Sequence, residues 1–177
     1  MSFKYADAGE TLVETPTGVV PLNRFLIEHR DDPNGVPSIE PYQKYASAEQ
    51  ARAELAEKVL AHCETLIVGG LVSAALGAPH TYPSKVIDQQ NLAANVQRST
   101  LPINASDPNW ITWHMCADVS GAWQFRPHTA AQIQAVGEDL ANIITLIRMA
   151  NATKIAELEG LSIAELEVYD VAGGWPL

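Results

Sequence analysis

Cysteine is scarce in this chain, with Cys63 and Cys116 the only two among 177 residues. Two thiols cannot build a disulfide framework, so a reducing compartment is the default. Basic residues are few as well. Eleven Lys and Arg stand against 21 Asp and Glu, for a formal net charge of −10. Binding nucleic acid requires cationic side chains that displace counterions, and docking on anionic lipid requires the same, so neither partner is expected. Long apolar runs are missing too. The stretch Leu66–Leu76 is short and broken by Gly69-Gly70, so no transmembrane helix is expected, and the start MSFKYADAGE lacks the basic-then-apolar pattern of a signal peptide.

Catalytic signatures are also thin. There is no G-x-S-x-G or G-x-G-x-x-G, and no phosphate loop follows Gly69-Gly70. His62-Cys63 and His114-x-Cys116 lack the Cys-x2–4-Cys or His-x3–5-His spacing of structural zinc, although His114 and Cys116 would share one face of a strand. Cys116 with His128, or Cys63 with His62, would be a nucleophile–base pair only if the fold brought them together, and adjacent helical residues such as His62 and Cys63 point apart. The expectation is a non-enzyme with no catalytic residue, no cofactor and no metal.

What is present is a 47% hydrophobic composition, enough for one core-forming domain with an appendage. The acidity is uneven. Residues 1–45 hold seven acids and four bases, residues 46–154 nine and seven, and the last 23 residues five acids (Glu157, Glu159, Glu165, Glu167, Asp170) and no base.

The first 45 residues carry five of the eleven prolines, Pro16, Pro21, Pro33, Pro37 and Pro41, with turn dipeptides at Thr17-Gly18 and Asn34-Gly35. Proline fixes φ and removes a ladder donor, so residues 1–45 read as an extended arm with small elements: strands at Thr11–Val13 and Gly18–Val20, one helical turn at Leu22–Ile27. The arm is too apolar for a solvated tail. Phe3, Tyr5, Val19, Phe25 and Leu26 are its candidate partner-binding residues.

Residues 46–177 read as an α+β domain of helices packed with two short β-hairpins. Ser47 with Gln50 opens a helix over Ala48–Thr65. A first hairpin joins Leu71–Leu76 to His80–Pro83 around Gly77-Ala78-Pro79. Ser84 caps a helix running to about Arg98, on which Asp88, Asn91 and Asn95 share one face at i, i+3 and i+7 and would line a polar cleft near Tyr82 and Trp113. A second hairpin pairs Trp110–Cys116 with Ala122–Arg126. Thr129 with Gln132 opens a long helix whose stripe Ile133, Val136, Leu140, Ile143, Ile144, Ile147 keeps helical period. Gly160 ends it, and Ser162 with Glu165 starts a last short helix. Trp110 and Trp113 lie three apart, on opposite faces of a strand, so one packs inward and the other is available as an interface anchor.

The stretch from about Arg52 to Leu158 resembles a small domain of unknown function found in bacteriophage proteins, often attached to tail-fibre or tail-fibre-assembly segments. The features that carry the resemblance are Gly69-Gly70 after the first helix and Tyr82-Pro83-Ser84-Lys85 leading into Asp88-Gln89-Gln90-Asn91-Leu92. The Trp113…Cys116 strand, the Gly121-x-Trp123 turn and Thr129-x-x-Gln132-Ile133 follow. In that family a short proline-rich strand region, similar to residues 1–45, often precedes the domain. The resemblance implies a structural or assembly component of a phage tail, in the virion after assembly in the host cytoplasm, with fibre or baseplate subunits as partners and self-association as an option. It transfers no catalytic residue. A dissociable fibre-assembly chaperone is one rival reading. A small hydrolase or carbohydrate-binding protein using Asp88 and the tryptophans is another.

Overall fold

The computed structural model describes residues 3–33, 35 and 37–176. The chain is mixed α+β, with two four-stranded sheets and six helices among the described residues. It divides into two compact units, one made of Met1–Arg52 with Ser162–Val168, the other of Ala53–Leu161 with Tyr169–Leu177.

In the first unit the expected extended arm is instead a folded sheet. Strands β1 (Phe3–Tyr5), β2 (Leu12–Thr15), β3 (Gly18–Pro21) and β4 (Ile39–Glu40) lie in the order β3-β2-β1-β4, with β1 and β4 parallel. Helix α1 (Leu22–Glu28) follows β3 directly. Phe3, Val13 and Phe25 form a core that Tyr5, Val20, Leu22 and Ile39 cover. The prolines do not prevent this, because they fall where a missing N–H costs little. Pro16 sits in the β2–β3 turn, and Pro21 ends β3, an edge strand. Between β1 and β2 the Asp7 carboxylate accepts from the amides of Thr11 at 2.8 Å and Leu12 at 2.7 Å. The bond from the Thr11 hydroxyl, with these two, holds the Asp7 pKa below the usual carboxylate value. The turn expected at Asn34-Gly35 lies partly outside the described residues.

Helix α2 spans Ala48–Val68, its start fixed by the Ser47 hydroxyl, which accepts from the Gln50 amide at 3.1 Å. Strands β5 (Leu71–Ser73) and β6 (His80–Tyr82) make the first hairpin, and β7 (Ile111–Ala117) with β8 (Trp123–Thr129) the second. They are not two separate hairpins. Thr81 pairs with Ala117, joining them into one antiparallel sheet of order β5-β6-β7-β8. Pro127 is tolerated within β8 because that strand is an edge. Helix α3 runs Val86–Thr100, one residue later than expected, with Lys85 rather than Ser84 at its cap. The Ser84 hydroxyl instead accepts from Gly70 N at 2.8 Å and donates to Ile67 O at 2.7 Å, tying the end of α2 to the start of α3. A short helix α4 (Pro102–Ala105) occupies what reads as loop, with proline at its favoured first position.

The long helix α5 (Ala130–Gly160) turns its predicted stripe inward. Ile133, Val136 and Leu140 join Leu71, Tyr82, Leu92 and Cys116 in the core, with Ile143 and Ile144 packed against them. The expected Ser162/Glu165 box opens α6 (Ile163–Glu167). Farther along α5, the nearly buried Lys154 lies under the rings of Tyr169 and Trp175, 5.5 Å and 5.7 Å from their centroids. Two acids of the acidic C-terminal run are used locally: Glu165 caps α6 and Glu157 accepts from the Tyr169 hydroxyl at 3.1 Å. Burial is the main reason the Tyr169 phenol is pushed up to about 12.

Helices α3 and α5 meet at Gly137, where a β-carbon would stand 2.8 Å from Val96 Cγ2. A β-branched side chain in a helix has little freedom to step aside. Gly137→Ala should therefore destabilise by up to about 2 kcal/mol, an overpacking cost of about 1–3 kcal/mol outweighing a helix-propensity gain of about 1 kcal/mol. A lowered urea midpoint at unchanged slope, restored in Gly137→Ala/Val96→Ala, is the expected result. A gain in stability for the single variant would contradict the close approach.

Candidate functional site

The seven residues singled out as partner-binding are dispersed. Phe3 and Phe25 are consumed by the core of the first sheet, and Tyr5 packs beside them. Val19 and Leu26 remain exposed. Trp110 packs on the core of the second unit, while Trp113 faces out at 58% exposure. Trp113 has company on that face. The register pairs Met115 with Phe125 and Ala117 with Trp123, so Ile111, Trp113, Met115, Trp123 and Phe125 all stand on one face of β7–β8. Trp123 is 53% and Phe125 60% exposed. The alternation Trp123-x-Phe125-x-Pro127 is the signal that would have revealed it.

The opposite face carries an internal polar cluster. Tyr82 donates its hydroxyl to His128 Nε2 at 2.9 Å, because His128 Nδ1, 2.9 Å from the Arg126 carbonyl, must carry the ring proton. Asn95 bridges from α3 to β7: its carbonyl accepts from the Thr112 hydroxyl at 2.9 Å, and its amide nitrogen lies 3.2 Å from His114 Nδ1. His114 Nε2 is buried without a partner among the described residues. Burial is the leading cause of every shift here. It lowers His114 and His128 and raises Tyr82 and Cys116, so all four are held neutral. Cys116 is thus kept as a thiol beside Tyr82. Cys63 is likewise buried and raised, while His62 packs on Trp175 at 5.3 Å. Among the described residues no three of His, Cys, Asp and Glu converge as a metal would need.

Between α3 and β7 runs a cleft of about 390 Å³. One wall is the α3 face predicted from spacing, Asp88, Asn91 and Asn95, extended by Ala94 and Arg98. The other is Trp113, His114 and Met115 of β7 with Phe125 beyond. Pro83 and Asp88 also border a second hollow lined by Lys85, Ile87 and Trp123, so the depression continues towards the turn end of β8. An Asp118–Arg126 ion pair at 2.7 Å stands nearby, the Asp118 pKa held below the usual carboxylate value mainly by its bonds to Ser120.

Fold and site thus define an α+β domain that carries a mixed aromatic and polar groove and an exposed apolar sheet face, with no activated nucleophile in the buried cluster. Residues 50–172 match the family described as a domain of unknown function (DUF4376), and the chain belongs to that family. The match spans most of the second unit and excludes the N-terminal sheet. No curated protein and no solved structure matches the chain. Among the described residues no helix is long and apolar enough to cross a membrane.

Proposed function

We propose that this protein is a non-enzymatic structural or assembly component of a bacteriophage tail that acts through protein–protein contacts. The observation that carries the contact role is the single apolar face formed by Ile111, Trp113, Met115, Trp123 and Phe125. A contiguous exposed aromatic patch is a recurrent mark of an interface, and tryptophan is enriched among residues whose loss costs most on binding. The tail setting comes from the resemblance described above, and fibre or baseplate subunits are the partners it proposes. The anchors differ from those read from the sequence: Trp113 stays, and Trp123 and Phe125 replace Phe3 and Phe25.

The double variant Trp113→Ser/Trp123→Ser should fold normally, since both side chains are half in solvent. Its amount in purified virions, measured by quantitative mass spectrometry after complementation, should fall tenfold or more, because two anchors are worth about 2 kcal/mol each. Wild-type incorporation by the folded variant would refute the role of this face.

A further inference from the structure

Resting on the reading of this face as a protein-contact surface, we propose that the groove between α3 and β7 binds an extended polypeptide segment of the partner, which joins the sheet as a strand antiparallel to β7. The first ground is an open edge. β7 pairs with β8 along its whole length, from Ile111↔Thr129 to Ala117↔Trp123. On its other side it pairs with β6 at Thr81↔Ala117, after which Pro83 and α3 lead the chain away. Tyr82, the last residue of β6, falls opposite Cys116, and from Ile111 to Met115 no strand among the described residues occupies that edge. In an antiparallel ladder every second residue of β7 aims its N–H and C=O there, and such a row is a template for another strand. Proteins commonly guard edges with charge or proline, and Ile111–Cys116 carries neither.

The second ground is the lining. Trp113, His114 and Met115 are consecutive and point to alternate faces, yet all three border one cleft. Only a cleft at the strand's edge meets both faces. The α3 wall supplies the third ground, which is charge. Asn95 bonds to Thr112 and His114, near the start of β7, while Asp88 shares a hollow with Trp123, opposite Ala117 at its end. Helix α3 therefore runs against β7, with Asp88 by the end of the strand and Arg98 by its beginning. Ten residues of helix separate these charges by about 15 Å, the length of four to five strand residues. A segment continuing the direction of β6 would place a basic residue first, by Asp88, and an acidic one last, by Arg98. Its outward side chains would meet Trp113 and Phe125. Recognition by backbone bonds with alternate side-chain pockets is an established mode of peptide binding.

The test titrates the full ¹⁵N-labelled chain with a pool of acetylated, amidated hexapeptides of pattern Lys-Thr-Φ-Thr-Φ-Glu, where Φ is Val, Ile or Phe. The expected result is shifted amide signals and slowed hydrogen exchange confined to Ile111–Met115 and the facing side of α3. N-methylation of both Φ amides should weaken binding about tenfold, the worth of two hydrogen bonds. Ala94→Trp, which fills the groove from an exposed position, should weaken it at least as much. Arg98→Glu should shift preference several-fold towards the pool ending in Lys. Absence of binding by the pool, indifference to N-methylation, or a homodimer that Ala94→Trp disrupts would overturn the proposal. Virion incorporation that depends on Trp113 and Trp123 but not on Ala94 would remove strand addition while leaving the apolar contact face standing.

Discussion

The variant Phe25→Ala should melt the N-terminal sheet and leave the unit built around α5 folded. Phe25 is fully buried, its ring 4.8 Å from that of Phe3 and 4.5 Å from that of His29. Truncating a buried phenylalanine costs about 3–5 kcal/mol. A core whose buried members are Phe3, Val13 and Phe25 has little to spare, since small units bury too little surface to be more than marginally stable. Amide exchange should show protection lost across β1–β3 and α1 while α5 and β7 keep theirs. An extended arm would have predicted almost no effect, so a negligible change in exchange at residues 3–28 would contradict the sheet.

The second large effect is acid sensitivity. His114 and His128 are both held below the ordinary histidine value of 6.5, chiefly by burial. The unfolded chain takes up both protons as pH falls through about 6.5, whereas the folded chain resists them until lower pH. Protons are therefore bound preferentially by the unfolded state in that window. The stability is complete above the unfolded value and is lost as pH falls towards the depressed folded values. Melting curves between about pH 8 and pH 5.5 should move steadily downward, about 2–4 °C for each kcal/mol lost in a chain of this size. The three carboxylates whose titration the fold perturbs, Asp7, Asp118 and Glu165, are all shifted downward and stay ionised throughout this range. His114→Gln/His128→Gln keeps an acceptor for Tyr82 and should flatten the pH dependence. A wild-type midpoint that is constant from pH 8 to 5.5 would contradict the neutral cluster.

How much of this was legible depended on how far apart the interacting residues lie. The capping boxes at Ser47/Gln50, Thr129/Gln132 and Ser162/Glu165 are local and specify their helices directly. So is the inward stripe of α5. In the first unit the short elements at Thr11–Val13, Gly18–Val20 and Leu22–Ile27 were legible and appear as β2, β3 and α1, but the sheet they join was not, because β1 finds β4 across more than thirty residues and the proline density argues for an arm unless one knows that Pro21 ends an edge strand. Likewise the single Thr81↔Ala117 bridge, which turns two hairpins into one sheet, leaves no local trace. The groove was half legible. Helical spacing put Asp88, Asn91 and Asn95 on one face beside Trp113, but the open edge opposite them exists only because α3 departs from β6 where it does. Ser84 illustrates the same limit: its type suits a cap, and the fold spends its hydroxyl joining α2 to α3.

The first unit is assembled from both ends of the sequence, with Leu166 fully buried and Glu167 accepting from the Lys44 amide at 2.8 Å. Residues 1–52 must therefore wait for 162–168 before their unit is whole. At a synthesis rate of about 5–20 residues per second, the 109 residues between 52 and 162 take roughly 5–22 s to emerge. During that interval the nascent N-terminal sheet lacks α6 and its fully buried Leu166. A truncation before Ser162 would therefore damage the unit that holds β1–β4 as much as the helix it removes.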